Sequence, residues 1–196
     1  MRKFTWIVPL LLWAAFSFWY TSFGGPLTAA EIEAAIADLE AQGRALDPAR
    51  AAAFRRFLEE DTGDDFVMLN VIELTEPADK ANEHLDEYMA HMWPELLSRA
   101  CHPVMVGTAA AGALDIWGID GARDWSQGAL MRYRSRRDFL AVAANPAIQG
   151  PHDAKELAMT KTIAFPLDPW FSLGDPRLVL GLFMLVLAGW LGRRSA

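Results

Sequence analysis

The chain has 196 residues, of which 53% are hydrophobic and 22% are charged, and its formal net charge is −7 at pH 7. This length allows one domain of ordinary size between terminal segments, and the acidic balance excludes a nucleic-acid partner. The single cysteine, Cys101, excludes an intrachain disulfide, so an exported domain needs a full hydrophobic core or a second subunit.

An uncharged apolar segment covers residues 4–23 and follows Arg2 and Lys3. Its length matches the roughly 20 residues with which an α-helix crosses a bilayer, and Trp19 and Tyr20 stand where an interfacial aromatic belt would lie. The alternative is a cleaved signal peptide, for which the apolar run is long and residues 27–29 are a poor cleavage match. The segment predicts an N-terminal transmembrane anchor over residues 1–25.

A second apolar segment covers residues 176–192 and is followed by Arg193 and Arg194. Asp175 and Pro176 are typical of a helix start, and the run is apolar on every face. The alternative is a buried C-terminal helix of a soluble domain. We predict a C-terminal transmembrane helix over residues 175–194. The positions of Lys and Arg then predict a bacterial inner (cytoplasmic) membrane protein, with both termini cytoplasmic and the main domain periplasmic or extracellular.

Residues 26–62 have the pattern of a helical hairpin. Thr28 and Glu31 form a capping box at the start of its first helix, and Asp47 with Pro48 starts the second. The hairpin is predicted to be a spacer between membrane and domain, with a partner-binding helix as the alternative.

From residue 63 to residue 169 the pattern alternates between strands and helices. Phe66–Leu74 alternates between two faces, with Val67, Leu69 and Val71 on one and Met68, Asn70 and Ile72 on the other. The predicted order is β-α-β-β-α-β, a ferredoxin-like α+β fold. Its further elements are a helix over 79–100, strands over 104–108 and 129–134, a helix capped by Ser135, a helix over 153–159 and a strand over 162–167, with residues 113–119 as a strand-like continuation of the second strand.

Four stretches together resemble a known family, and they are residues 66–70, 92–104, 130–139 and 161–166. They resemble uncharacterised bacterial members of the dimeric α/β-barrel superfamily. That superfamily includes stress-responsive proteins, small monooxygenases of antibiotic biosynthesis, and haem-degrading and dye-decolourising relatives. The resemblance covers residues 65–167 and implies a homodimer in which two four-stranded sheets pair face to face; it carries over no catalytic set and no cofactor.

Five residues are candidates for binding a small ligand. Arg132 and Arg134 share one face of the third strand, and together with the amide of Asn70 they have the chemistry to bind an anion. Trp117 is a candidate for an aromatic pocket, and His152 is a candidate for a loop proton shuttle. The alternatives are that the arginines pair with acidic residues of a partner sheet and that the tryptophan belongs to the core or the dimer interface.

A metal site is not predicted. His84, Glu87 and His91 project to one side of a helix, which is a spacing that zinc or iron accepts, but this side is typical of a solvated flank. We therefore expect neither a metal nor another cofactor.

Three functions remain open from the sequence, and whether the chain is an enzyme stays undecided. The favoured one is a membrane-tethered dimeric domain that binds a small ligand or a membrane partner. The second is a cofactor-independent monooxygenase acting on a small aromatic, with a closed cleft lined by Asn70, Trp117 and Arg132. The third is a structural module of an envelope assembly. The expected partners are the lipid bilayer, a second copy of the chain, and a small molecule or membrane protein.

Overall fold

The computed structural model describes residues 4–42, 46–145 and 152–194. They form two compact units, one made of the two chain ends, up to Phe23 and from Pro169, and the other of Gly24–Asp168. We refer to them as the terminal unit and the central unit. The elements in chain order are α1 Phe4–Tyr20, α2 Ala29–Ala41, α3 Pro48–Glu59, β1 Phe66–Leu74, α4 Ala78–Ser98, β2 His102–Thr108, β3 Gln127–Tyr133, α5 Arg136–Ala143, α6 His152–Ala158, β4 Met159–Leu167 and α7 Pro176–Arg194.

The central unit contains one four-stranded antiparallel sheet with the strand order β2-β3-β1-β4. This order confirms an α+β, ferredoxin-like arrangement. The predicted strand β1 is confirmed in full, because alternation over nine residues is a strong signal for a strand with two different faces. Phe66 pairs with Tyr133 of β3, and Leu69 pairs with Phe165 of β4.

One face of the sheet is covered by helices. Phe66 and Tyr133 stack there with ring centroids 5.2 Å apart, and Phe57 of α3 meets Phe66 edge-on at 5.1 Å. Helices α4 and α5 complete this core, so the hairpin helix α3 is part of the domain as well as a link to it. The buried residues of the core are Phe66, Met92, Leu96, Cys101, Tyr133 and Val142.

The predicted helix starts are confirmed. Thr28 and Glu31 form both hydrogen bonds of a capping box at α2, and Asp47 accepts from the backbone N–H groups of Ala49 and Arg50 at α3. Ser135 accepts from the backbone N–H of Asp138 at α5. These caps satisfy N–H groups that the helices themselves leave free.

The strand predicted over residues 113–119 is wrong. The connection between β2 and β3 is an irregular loop, in which Gly118 and Gly121 adopt positive φ angles of 69° and 68°. Its large apolar side chains meet no sheet face, since Leu114 is 96% exposed and Trp117 is 93% exposed. Alternation of apolar residues therefore indicates a strand only where a second layer is present to cover one face.

The terminal unit is an antiparallel pair of helices, α1 and α7. The indole N–H of Trp13 donates to the carbonyl oxygen of Arg177 at 2.8 Å. A Cβ at Gly181 would lie 2.9 Å from Trp13 Nε1, so the helices approach closely where α7 has no side chain.

One helix among the described residues, α7, is long and apolar enough to cross a membrane, over Pro176–Arg193. The first apolar segment was predicted to span over residues 4–23, but α1 ends at Tyr20 and its apolar part, Trp6–Tyr20, falls short of the same criterion. The structure thus supports one candidate span where the sequence predicted two. Arg2 and Lys3 lie outside the described residues.

Candidate functional site

Arg132 lies at the end of β3 and is engaged within its own chain. Its Nε donates to Asp65 Oδ2 at 2.7 Å and its Nη1 donates to the carbonyl oxygen of Ala100 at 2.8 Å. The residue is 4% exposed. By register it pairs with Val67, which places it on the face of the sheet opposite Met68. The carboxylate beside Arg132 therefore comes from this chain rather than from a partner sheet.

Arg134 is also held by a carboxylate of the same chain. Its Nε and Nη2 donate to the two carboxylate oxygens of Asp138 at 2.8 and 2.9 Å. This bidentate pair raises the pKa of the Arg134 guanidinium, and the hydrogen bond to Asp138 is the largest cause of the shift. Asp138 is the third residue of α5, so the pair fixes the turn from β3 into that helix.

The remaining candidate residues lie apart from the two arginines. Asn70 is on the helix-covered face and donates to the carbonyl oxygen of Met68 at 3.2 Å. Trp117 is in the exposed β2–β3 loop, and His152 is the first residue of α6, with a side chain outside the described part of the structure. The structure does not bring Asn70, Trp117 and Arg132 into one cleft. Ligand binding by these five residues stays a prediction.

The second face of the sheet, which we call the open face, is apolar. Register aligns Met105, Leu130, Leu69 and Phe165 in a single row across β2, β3, β1 and β4. Several of these side chains and their neighbours are exposed: Met105 is 58%, Phe165 43%, Leu167 39% and Ile163 36% exposed. The core contacts of α3, α4 and α5 all lie on the other face. A contiguous apolar patch of this kind marks an interaction surface.

Charged groups flank this apolar row at both ends of the strands. Glu73 and Lys161 lie opposite each other on β1 and β4, with Nζ and Oε2 2.7 Å apart. The Arg132–Asp65 pair lies at the other end. The open face thus has an apolar centre and a charged rim, which is the usual composition of a protein–protein interface.

A cavity of about 700 Å³ lies on the helix-covered side, between the α2–α3 hairpin, α5 and strands β1 and β4. Its volume is in the range of roughly 300–1,000 Å³ that is typical of small-molecule sites. Most of its walls are apolar. They include Leu27, Ala34, Ala35, Leu39, Leu46, Ala53, Phe54, Phe57, Met68, Phe139, Leu140 and Ala164.

The polar residues at this cavity are few. Arg137 forms an ion pair with Glu31, and its Nη2 donates to the carbonyl oxygen of Pro26 at 3.3 Å. The backbone N–H of Thr28, followed by the Thr28 hydroxyl and Arg137, lowers the pKa of the Glu31 carboxyl. Gln42 Oε1 is buried and has no hydrogen-bond partner among the described residues. An acceptor buried without a partner is costly, and Gln42 lines this cavity.

A polar cluster around Asp61 attaches the hairpin to the sheet. Asp61 Oδ2 accepts from the backbone N–H of Leu27 at 2.8 Å, and Oδ1 accepts from that of Gly63 at 3.0 Å. Arg136 Nε lies 3.7 Å from Oδ1, and its guanidinium stacks over the ring of Phe57 at 4.6 Å. Gly63 has a φ of +83°, and a Cβ there would lie 2.6 Å from the carbonyl carbon of Gly25.

Sequence reasoning missed both the cavity and this cluster. The local signal for the cluster is the Asp-x-Gly spacing of Asp61 and Gly63, in which the side chain accepts a hydrogen bond from the backbone of its own turn. The cavity had no local signal, because its walls come from four separate parts of the chain.

No protein-family model matches the chain, and no curated protein matches its sequence. Solved structures resemble it in fold. A protein of unknown function from Rhodopseudomonas palustris has a TM-score of 0.51 at 19% identity, covering 62% of this chain and 94% of that one.

Two further structures are more distant. SnoaB, a cofactor-independent oxygenase from Streptomyces nogalater, has a TM-score of 0.40 at 11% identity over 57% of this chain and 99% of its own. A dimeric ferredoxin-like protein of unknown function from Bacteroides fragilis has a TM-score of 0.38 at 7% identity over 54% and 96%. At these identities the likeness concerns the fold alone.

Proposed function

We propose that the protein is a membrane-tethered binding domain that works as a homodimer, in which two copies pair the open faces of their sheets. The observation that carries this proposal is the apolar row Met105, Leu130, Leu69 and Phe165, which crosses all four strands on the face away from the helices. Apolar surface of this extent gains free energy when it is removed from water, at roughly 25 cal/mol per Å².

A second copy of the chain suits this face better than an unrelated partner. In a two-fold dimer the same patch meets itself, so an apolar row meets an apolar row and the charged rims lie at the periphery. The rim charges are already paired within each chain, Glu73 with Lys161 and Asp65 with Arg132, so pairing leaves no buried lone charge.

The dimer is tested by replacing Phe165 with aspartate in the full-length chain. In a two-fold dimer the substitution occurs twice, and losing about 1.5–3 kcal/mol per phenylalanine weakens the dimer at least about hundredfold. Light scattering of the protein in detergent gives the mass of each form. Leu157→Asp is the matched control, because Leu157 is 60% exposed on α6, away from the open face.

We expect the unaltered chain and the Leu157→Asp variant to be dimers and the Phe165→Asp variant to be a monomer. A monomeric unaltered chain contradicts the proposal, and so does a dimer that survives Phe165→Asp.

The tether is the terminal unit. In this proposal α7 crosses a bacterial inner membrane and α1 lies beside it, antiparallel, with both termini cytoplasmic and the central unit periplasmic or extracellular. Its support is the lipid-like exterior of α7, where Leu182, Leu185 and Val186 are at least 55% exposed. At 17 residues α1 is at the lower limit of the roughly 17–25 that span a bilayer.

The topology is tested on intact spheroplasts. External protease is expected to digest the central unit while a fluorescent protein fused after Ala196 stays protected. N-terminal sequencing of the membrane-bound chain separates the anchor from a cleaved signal peptide. Digestion of the fused protein, or release of the chain from the membrane by alkaline carbonate, overturns the tethered arrangement.

The two alternative functions have less support from the geometry. A cofactor-independent oxygenase was expected to use a cleft of Asn70, Trp117 and Arg132, which here lie on opposite sheet faces and in an exposed loop. Nothing in the described residues favours a purely structural envelope module over a binding domain, since a cavity of ligand size is present.

A further inference from the structure

We infer that the cavity between the α2–α3 hairpin and the sheet binds a cation with an apolar body, such as an aryl-alkyl ammonium ion, and that Asp38 holds its charged group. This inference rests on the binding role proposed above but does not depend on the pairing of open faces. None of the five residues predicted from the sequence to bind a ligand lines this cavity.

The apolar body follows from the walls of the cavity. Phe54 and Phe57 of α3 line it together with Phe139 of α5, and the sheet contributes Met68 and Ala164. Water in a space of this kind has few polar partners, whereas an apolar ligand removes both its own surface and that of the walls from water. The three phenylalanine rings also suit an aromatic group, which packs against them by its face or its edge.

The positive charge of the ligand follows from how the charged residues of the lining are paired. Arg137 forms an ion pair with Glu31, and Arg50 Nε lies 4.0 Å from Asp47 Oδ2. Asp38 lines the same cavity and has no ion pair within the described part of the chain. The described pairs cancel, so the carboxylate of Asp38 leaves one negative charge at the cavity, which favours a cation over an anion.

The end of α2 adds to this negative potential. Asp38 lies in the last turn of α2, where the free carbonyl groups of a helix carry a partial negative charge, and that turn has no basic residue to offset it. Asp38 is exposed, so it lies at the rim of the cavity. An ammonium group there donates to the carboxylate and keeps contact with water, while the apolar body of the ligand lies among the phenylalanines.

Three matched fluorescent probes test this inference on the full-length protein in nanodiscs of zwitterionic lipid: 4-(1-naphthyl)butylammonium, 4-(1-naphthyl)butanol and 4-(1-naphthyl)butanoate. Bound probe is measured by equilibrium dialysis at pH 7 against empty nanodiscs, which removes the contribution of the lipid. We expect one saturable site per chain for the ammonium probe, about fivefold weaker binding of the alcohol, and still weaker binding of the butanoate. An exposed ion pair at the upper end of its usual strength accounts for about a fivefold difference.

Asp38→Asn links the preference for the cation to one carboxylate. It keeps the size of the side chain and removes its charge, so the ammonium and alcohol probes are expected to bind equally. Glu40→Gln is the matched control, because it removes the same charge from an exposed residue of the same turn that does not line the cavity. Arg44→Gln removes the basic residue nearest to Asp38 in the sequence. Both of these variants are expected to keep the preference.

Two filling variants link the binding to the cavity. Ala35→Trp on α2 and Ala53→Trp on α3 occupy its space and are expected to abolish saturable binding of all three probes. Using two helices keeps the test valid when one variant fails to fold. Leu157→Trp on α6 does not touch the lining and is expected to leave binding unchanged.

Absence of saturable ammonium binding by the unaltered chain overturns the inference, as does binding that survives both filling variants. A preference for the ammonium probe that persists in Asp38→Asn also overturns it. So does a preference that is lost equally in Glu40→Gln, or one that appears only in Arg44→Gln.

Met105→Asp separates this inference from the proposed dimer, because Met105 is 58% exposed on the open face and does not line the cavity. We expect this variant to be a monomer that still binds the ammonium probe. An unaltered chain that is a dimer but binds no probe contradicts the cavity site alone. An unaltered chain that binds the probe as a monomer contradicts the pairing of open faces alone.

Discussion

Replacing Asp61 with alanine removes the carboxylate that joins the helical hairpin to the sheet. The backbone N–H of Leu27, which is part-buried, and that of Gly63, which is buried, lose their acceptor, and Arg136 loses a carboxylate 3.7 Å from its Nε. The side chains of Arg136 and Asp61 are 5% and 2% exposed, so water does not replace the lost partner.

The expected loss is about 3–5 kcal/mol, the range for breaking a buried ion pair by removing one partner. Each orphaned N–H on its own costs about 1–3 kcal/mol. Arg136 keeps its bond to the carbonyl oxygen of Phe57 and a 3.4 Å contact with Asp168, which places the expected value toward the lower end.

Asp47→Ala is the matched control, because Asp47 caps the start of α3, the helix that ends just before Asp61. Its carboxylate also accepts two backbone N–H groups, but its side chain is 54% exposed, so water takes over part of its role. Loss of such a cap costs about 1 kcal/mol. Both variants lose two hydrogen bonds to backbone N–H groups, so the difference between their losses of stability measures the effect of burying the carboxylate.

Hydrogen exchange of the β1 and α3 amides measures both losses in the full-length protein. A loss of 3 kcal/mol corresponds to exchange that is about hundredfold faster, and 1 kcal/mol to about fivefold. Equal acceleration in Asp61→Ala and Asp47→Ala would refute the reasoning, since the buried pair would then contribute no more than an exposed cap.

Three further outcomes are expected. Burial raises the pKa of the Cys101 thiol, so iodoacetamide at pH 8 is expected to alkylate it far more slowly in the folded chain than in urea; equal rates would show an accessible thiol. Gly181→Leu is expected to destabilise the helix pair by about 1–3 kcal/mol through collision with Trp13, seen as faster exchange of the α7 amides, whereas Gly189→Leu, which meets nothing within 4 Å, is not. The pKa of Glu31 is lowered in the folded chain, so its contribution to stability is present above the ordinary value of 4.5 and is lost as the pH falls through the lowered pKa. Protection of the first turn of α2 against hydrogen exchange is therefore expected to decline only below pH 4.5. The Glu31→Gln variant is expected to show no such step.

Local patterns predicted most of the central unit. Strand β1 and the caps at Thr28, Asp47 and Ser135 each depend on residues within a few positions of one another, and all were confirmed. The order of strands and helices follows from these local assignments.

Long-range partners set the roles that the sequence did not predict. Arg132 looks like an anion ligand on its strand, but Asp65, 67 residues away, is its partner. The β2–β3 loop has the apolar alternation of a strand and lacks a layer to cover it. In the same way, α1 has the composition of a span, but the turn after Tyr20 limits its length.

The helix pair of the terminal unit joins residues that are synthesised far apart in time. Trp13 and Arg177 are 164 residues apart, so at roughly 5–20 residues per second the partner of Trp13 is made about 8–33 s after it. Throughout that interval Trp13 has no contact on α7, while the central unit between them can fold. The order of synthesis therefore makes the central unit available before α1 can pair with α7, and a chain that stops before residue 181 leaves α1 without its partner.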